Sequence, residues 1–156
     1  MRNTRSFKPS RGFTLIELLI VIAIIGTMAA VAIPLFHSSV RKANEAAAVA
    51  TLNAIKVAQA KYVIDHDYQY GTFRELFEEG YLDKRFDFEQ PHIKGYVFTL
   101  TLTPKSEKQA TTYAANADPE QPEGVTATGR NFYYLDPVSG ICFSKTGRAT
   151  ASDNNL

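Results

Sequence analysis

Cysteine is almost absent from this chain of 156 residues, since Cys142 is the only one. A single thiol excludes an internal disulfide, so packing rather than a covalent link must hold the fold together. Acidic residues are absent from residues 1–12, which instead contain Arg2, Arg5, Lys8 and Arg11. Without these four, 13 of the 17 basic residues remain against 16 acidic ones. This mildly acidic balance does not indicate a surface that binds nucleic acid.

Catalytic and metal-binding motifs are also lacking. There are three histidines, His37, His66 and His92, and they do not form a ligand pair of the HExxH kind. The nearest acidic cluster lacks the spacing of an EF-hand, so a solvated face is the simpler interpretation of Asp83, Asp87 and Glu89. No glycine loop suited to phosphate is present, and Cys142 has no nucleophile motif around it. We therefore expect no enzyme activity, no cofactor and no bound metal.

Charge is scarce in the apolar segment 13–36, whose only ionisable residue is Glu17. About 20 helical residues cross a bilayer core of about 30 Å, so this segment is long enough to span a membrane. Basic residues precede it more heavily than they follow it, which favours a cytoplasmic N-terminus with the rest of the chain outside. A carboxylate in an apolar helix is costly unless it is paired, neutralised or near the interface. Glu17 is therefore a candidate functional residue.

Two other interpretations of this segment remain open. It could be an uncleaved signal anchor, or it could be a secretory signal peptide cut after Ala32, because residues 30–32 have the small-x-small form of a cleavage site. The second alternative would release a secreted binding domain or enzyme that begins at Ile33. The length of the apolar segment and the early position of Glu17 argue against this alternative.

Residues 11–18, RGFTLIEL, resemble the processing site of type IV prepilins and of the pseudopilins of type II secretion. The resemblance implies that a membrane-embedded aspartyl peptidase cuts between Gly12 and Phe13 on the cytoplasmic side. It also implies that the same enzyme methylates the new amine of Phe13, and that residues 1–12 are a removed leader. Glycine allows a peptidase to approach the backbone closely, and a cut at this bond keeps the whole apolar helix in the product.

Cleavage after Gly12 would create an amine four residues before Glu17, about one helical turn away. That amine can pair with Glu17 of its own chain or with Glu17 of a neighbouring copy. In the second arrangement, an unpaired buried charge penalises every wrong register between copies. The resemblance favours pairing between copies. A third interpretation is that Glu17 only lies at the level of the lipid headgroups.

Gly26 and Pro34 lie where many pilins have a glycine and a proline, which implies a flexible stretch of helix that is extended during assembly. Proline removes a helical hydrogen bond and glycine lowers helix propensity, although both are common in membrane helices. Residues 37–66 are rich in alanine and lack both residue types, so the helix is expected to continue to about His66.

This second half of the helix has two distinct faces. One is predicted to pack against a sheet and contains Leu52, Ile55, Ala58 and Tyr62. The other consists of small residues that would let further helices approach, namely Ala43, Ala46, Ala47, Ala50 and Ala54.

Residues 67–156 are expected to form a globular head. Thr72 and Glu75 fit a capping box, and Gly80 suits the end of the short helix that follows. Its buried side would contain Phe73, Leu76 and Phe77. Strands are predicted at 96–102, 109–117, 132–134 and 141–144, with turns at 104–107 and 136–140, a loop at 118–129 and a loose tail from Thr146.

A long helix followed by an antiparallel sheet makes the α+β pilin fold the expected class. The resemblance implies a structural subunit that polymerises with its own copies through the N-terminal helices. Its other partners would be the prepilin peptidase and methyltransferase, the inner-membrane assembly platform and the membrane itself. It would lie in the inner membrane before assembly and in a pilus or periplasmic pseudopilus afterwards. The pair of cysteines that closes a loop in many pilins is missing, which keeps a type II secretion pseudopilin as the alternative.

Overall fold

The computed structural model describes residues 12–104 and 111–156. Our predictions for residues 1–11 of the leader, for most of the turn at 104–107 and for the start of the strand at 109–117 lie outside these ranges. The chain divides into two compact units, Met1–Phe36 and His37–Leu156.

The long helix is confirmed as α1, Leu15–Asp65. In the first unit its large apolar side chains are exposed, from 43% for Val21 to 76% for Leu15. Soluble monomers rarely expose so much contiguous apolar surface, which marks this part of α1 as a membrane or protein interaction surface.

In the second unit, α1 forms one wall of the core. The predicted face is confirmed, because Leu52, Ile55, Ala58 and Tyr62 are all buried. On the opposite face Ala43, Ala46, Ala50 and Ala54 are exposed and Ala47 is half-buried. The helix therefore separates a side that packs against the sheet from a side of small residues that faces outward.

The short helix is confirmed as α2, Phe73–Glu78, with both halves of its capping box formed. The Glu75 amide donates to Thr72 Oγ1 at 3.3 Å, and the Thr72 amide donates to Glu75 Oε2 at 2.7 Å. At the other end Gly80 has φ +79°. The amides of Gly80 and Tyr81 close the helix on the carbonyls of Phe77 and Leu76 at 3.0 and 2.8 Å. Phe73 and Leu76 are buried, as expected, whereas Phe77, which was predicted to be buried with them, is half-buried.

The head contains a six-stranded antiparallel sheet whose strands follow one another in chain order. The strands are β1 His92–Ile93, β2 Tyr96–Thr103, β3 Thr112–Pro119, β4 Phe132–Asp136, β5 Gly140–Ser144 and β6 Asn154–Asn155. The four longer strands confirm the four that the alternating pattern predicts. The turn at 136–140 is also confirmed, since Asp136 pairs with Gly140, which has φ +76°.

Before the tail, the head differs from the prediction at three places. The predicted loop at 118–129 begins later than expected. Asp118 and Pro119 extend β3, since they pair with Val97 and Tyr96 of β2. Proline is tolerated at the end of this strand, although it discourages strand assignment from sequence. The short strand β1 and a 3₁₀ helix at Lys84–Phe86 were not predicted. Both are too short to produce a periodic pattern.

The tail was predicted to be loose, and this prediction is wrong. Residues 154–155 form β6 against β5, and the Leu156 amide donates to the Ile141 carbonyl at 3.0 Å. Ala149 is buried, and its carbonyl accepts a hydrogen bond from Asn116 Nδ2 at 3.0 Å. Polar residues without alternation give no strand signal, so these tertiary contacts could not be predicted from local sequence.

Cys142 lies on the sheet face that the tail covers. It pairs with Tyr134, whose neighbours Tyr133 and Leu135 point into the core, so Cys142 points to the opposite face. Its side chain is fully buried and donates to Asn155 Oδ1 at 2.8 Å. Burial raises the pKa of the thiol, as do the Asp136 and Asp153 carboxylates, which keeps it protonated and unreactive.

A buried amide, Gln59, joins α1 to the loop before α2. Its Nε2 donates to the Gly71 carbonyl at 2.6 Å, and the Gly71 amide donates to its Oε1 at 3.0 Å. The backbone of Gly71 approaches the Tyr62 ring so closely that an added Cβ would lie 3.0 Å from it. Both positions are buried, so the amide satisfies groups that water does not reach.

We predict that Gln59→Leu lowers the free energy of unfolding by about 2–5 kcal/mol, because it leaves two buried backbone groups of Gly71 without partners. Asn53→Leu, at an exposed position of the same helix, should change it by less than about 0.5 kcal/mol. Urea unfolding of the full chain in detergent micelles, followed by tyrosine fluorescence, measures both. Equal midpoints for the two variants would contradict the prediction.

Candidate assembly site

The predicted cleavage bond lies outside the helix. Gly12 and Phe13 precede α1, and the Phe13 side chain is 81% exposed. A Cβ added at Gly12 would meet no atom within 4 Å. No described residue covers the backbone at Gly12, so another protein can approach the bond from this side.

Glu17 lies in the first turn of α1, where it forms a second capping box with Thr14. The Glu17 amide donates to Thr14 Oγ1 at 3.2 Å. In return the Thr14 amide and hydroxyl donate to Glu17 Oε2 at 2.9 and 2.7 Å. A negative charge at this end of a helix is also stabilised by the helix dipole.

This capping box was not predicted from the sequence. Glu17 was considered only as a charge that needs a cation, and Thr14 was not considered as a hydrogen-bond donor. The signal was available, because Thr14 and Glu17 have the same spacing as Thr72 and Glu75. Among the described residues, Glu17 is therefore hydrogen-bonded to Thr14 at the start of its own helix.

The capping box also fixes where the carboxylate lies. Glu17 Oε2 is held 2.9 Å from the Thr14 amide, and Phe13 is the residue immediately before it. An amine created at Phe13 would form one residue before the Thr14 amide, which already donates to the Glu17 carboxylate. Thr14 therefore already holds the Glu17 side chain in place, so pairing with a new positive charge nearby would cost it little further conformational freedom.

Gly26 and Pro34 both lie inside α1, and the helix continues through both. A Cβ added at Gly26 would meet nothing within 4 Å, so packing among the described residues does not require glycine there. Pro34 has no amide hydrogen for the carbonyl of Ala30. The flexibility of this stretch stays a prediction.

Two of the residues considered as metal ligands, Asp83 and His92, pair with other side chains in the head. Asp83 caps the 3₁₀ helix through the Arg85 amide at 2.9 Å and binds the Arg85 guanidinium at 2.6 Å. This hydrogen-bonded pairing lowers the pKa of Asp83. His92 lies 2.7 Å from Glu120. Within the described ranges, histidines, cysteine and acidic residues form no group of three that could hold a metal.

A membrane span is compatible with α1 by length and composition. It is the one helix of the described chain that is long and apolar enough to cross a bilayer, and the apolar part of it is not buried within the protein. A signal sequence near an N-terminus would satisfy the same criteria.

Comparison with known proteins identifies relatives of the N-terminal segment. Residues 7–33 match the family model of the prokaryotic N-terminal methylation motif. The type IV major pilin protein PilA of Myxococcus xanthus is 42% identical over 73 residues, which are 47% of this chain and 33% of that protein. The type IV wide pilus major component PilA4 of Thermus thermophilus is 48% identical over 58 residues, or 37% of this chain and 44% of that protein.

A third relative, the type IV major pilin protein PilE1 of Neisseria gonorrhoeae, is 43% identical over 56 residues, or 36% of this chain and 34% of that protein. The matches thus span between 33% and 44% of the length of these relatives. No solved structure matches the chain. The family model therefore matches the N-terminal segment, and each of these relatives matches less than half of this chain.

We predict that Thr14→Ala weakens the first turn of α1 by about 1 kcal/mol, because it removes the capping hydroxyl. Thr14→Ser, which keeps the hydroxyl, should behave like the unaltered chain. Amide hydrogen exchange of residues 15–18 in detergent micelles reports the difference. Equal protection in the alanine and serine variants would show that the capping box is dispensable.

Proposed function

We propose that this chain is a type IV pilin and serves as a structural subunit of a surface pilus, on the basis of its N-terminal motif and the relatives that match it. The observation that carries the proposal is the methylation motif at residues 7–33 at the start of a 51-residue helix. The named relatives are major subunits of type IV pili, which supports a structural role in a pilus.

In this proposal the chain has four functional parts. Residues 1–12 are a leader that the prepilin peptidase removes, and residues 13–36 anchor the precursor in the inner membrane. Residues 37–66 form the half of the helix that supports the head, and residues 67–156 form the head. After cleavage, the exposed apolar side chains of α1 would leave lipid and pack against other copies, so the same surface is covered in both states.

The assembly mechanism centres on Glu17. Cleavage would add a positive amine at Phe13, close to a carboxylate that Thr14 already holds. If the amine of one copy pairs with Glu17 of a neighbour, a copy in the wrong register leaves a charge without its partner in an apolar environment. The charge would then select register, while the apolar contacts supply most of the stabilisation.

We predict that the mature chain begins at N-methylated Phe13. Mass spectrometry of the N-terminal peptide from sheared filaments or from membranes tests this. Gly12→Glu should leave the leader attached, because a bulky charged side chain then stands at the cleavage bond. A mature chain that begins at Ile33 would contradict the proposal and support release by signal peptidase.

We predict that Glu17→Gln is processed normally but forms no filaments. Glutamine satisfies a capping box as glutamate does, so this change removes the charge while it keeps the first turn. Glu89→Gln, at an exposed position in the head, should assemble like the unaltered chain and serves as the matched control. Electron microscopy of the cell surface and of sheared material gives the readout. Normal filaments from Glu17→Gln would exclude charge pairing as the basis of assembly.

A further inference from the structure

The C-terminal end of α1 presents an aromatic side chain that packs on little of its own chain. Tyr68 is 79% exposed, as is Ile64 one helical turn earlier. Asp67 and Tyr68 both have positive φ, at +47° and +62°. This conformation is uncommon for residues other than glycine, and it is least expected for a bulky one. The chain therefore holds Tyr68 outward in a strained conformation with no compensating burial.

Several contacts hold this segment in place. The Tyr68 amide donates to the Val63 carbonyl at 3.1 Å, and the Gln69 amide donates to the His66 carbonyl at 2.9 Å. The His66 ring stacks on Tyr62 with centroids 3.8 Å apart, and His66 Nε2 lies 3.0 Å from Glu79 Oε1. Residues 64–68 are therefore fixed by backbone and side-chain bonds. We call them the knob.

The other end of the head contains an open groove. It has a volume of about 890 Å³ and is lined by residues that include Pro122, Phe132, Arg130 and Lys145. The Arg130 amide donates to Glu45 Oε1 at 2.9 Å, and Asn44 Nδ2 donates to the Thr128 carbonyl at 3.0 Å. These bonds join the walls of the groove to α1.

We propose that the knob of one copy docks into the groove of a second copy. The Tyr68 ring suits a groove whose walls contain Pro122 and Phe132 and whose rim contains an arginine that can stack on an aromatic face. The acidic Asp67 beside it complements Arg130 and Lys145. This contact deepens the pilus proposal and rests on it, because it names how successive heads meet.

The charges of the groove are not all favourable to an acidic knob. Glu45 and Glu123 also line it. Glu45 already accepts hydrogen bonds from the Arg130 amide and from Asn131 Nδ2, at 2.9 and 3.4 Å, which hold its carboxylate against the wall of the groove. Glu45 and Glu123 both keep a negative charge that opposes Asp67, so complementarity depends on Arg130 and Lys145.

The positions of knob and groove determine what kind of assembly results. Asn44 and Ile64 lie 20 residues apart on one helix, which corresponds to about 30 Å. Because the two surfaces differ, the contact is heterologous and leaves a free knob and a free groove at the ends of any assembly. Such a contact produces an open chain of copies, whereas a self-complementary contact would stop at a dimer.

The test is disulfide cross-linking in filaments of the full chain. Gln69→Cys, at the exposed position directly after the knob, is combined in turn with Glu123→Cys and Thr146→Cys, which sample two segments of the groove lining. These variants keep Tyr68, Arg130 and Lys145. Cys142 is kept, because it is buried. After mild oxidation, at least one pair should give a ladder of dimers, trimers and higher species on a non-reducing gel. Each single-cysteine variant should give no ladder.

A second measurement does not depend on cysteine geometry. Tyr68→Asn removes the ring and keeps a residue that tolerates positive φ, so the head should fold as before. Truncation of a central interface tyrosine weakens association by about thirtyfold, so the yield of sheared filaments should fall sharply. Phe88→Asn is the matched control, since Phe88 is 65% exposed and lies outside both knob and groove.

Three results would overturn the proposal. If the unaltered chain forms filaments while no cysteine pair gives a ladder and Tyr68→Asn assembles at full yield, the knob contact is wrong and the pilus proposal stands. If the unaltered chain forms no filaments, the pilus proposal fails, and the contact between successive heads fails with it. A dimer without higher species would also exclude the contact, because it would indicate a self-complementary interface.

Discussion

Packing of one face of α1 against the sheet is the contact on which the head depends. Leu52 and Ile55 are completely buried there, and they meet a core that contains Tyr96 and Phe98 from β2. The sheet runs in simple chain order and has no crossover helix of its own. Its inner face is therefore covered chiefly by a helix that precedes every strand in the chain. Any change that shortens or tilts this half of α1 would expose that face.

The same local chemistry is used twice for different purposes. Thr72 and Glu75 begin α2, a helix of six residues that would otherwise be marginal, and the box there is part of the architecture of the head. Thr14 and Glu17 begin α1 with nearly identical distances. There the carboxylate also lies in an apolar segment, beside the predicted cleavage bond. In the proposed function, one residue thus serves helix initiation in the precursor and charge pairing in the mature subunit.

The elements that sequence predicted are those with a strong local pattern. The alanine-rich half of α1, the capping box at Thr72 and the alternation through Tyr96 and Phe98 each combine a periodicity with a start or stop signal. The two-residue strands and the 3₁₀ helix were missed because three residues or fewer cannot show a period. The docked tail was missed because its contacts come from distant residues such as Asn116. At the candidate site, Glu17 was found from its charge, while the role of Thr14 was overlooked because its hydroxyl was not considered as a partner.

The tail that covers Cys142 has a consequence for how the head matures. Its closure uses an ion pair between Arg148 and Asp118 at 3.2 Å, a hydrogen bond from Asn116 and the pairing of β6 with β5. All of these contacts form and break without a change of oxidation state. Folding of the head therefore does not wait for an oxidant or for the reshuffling of mispaired thiols, steps that take seconds to hours in disulfide-bonded domains. The head can close as soon as its last residues are available.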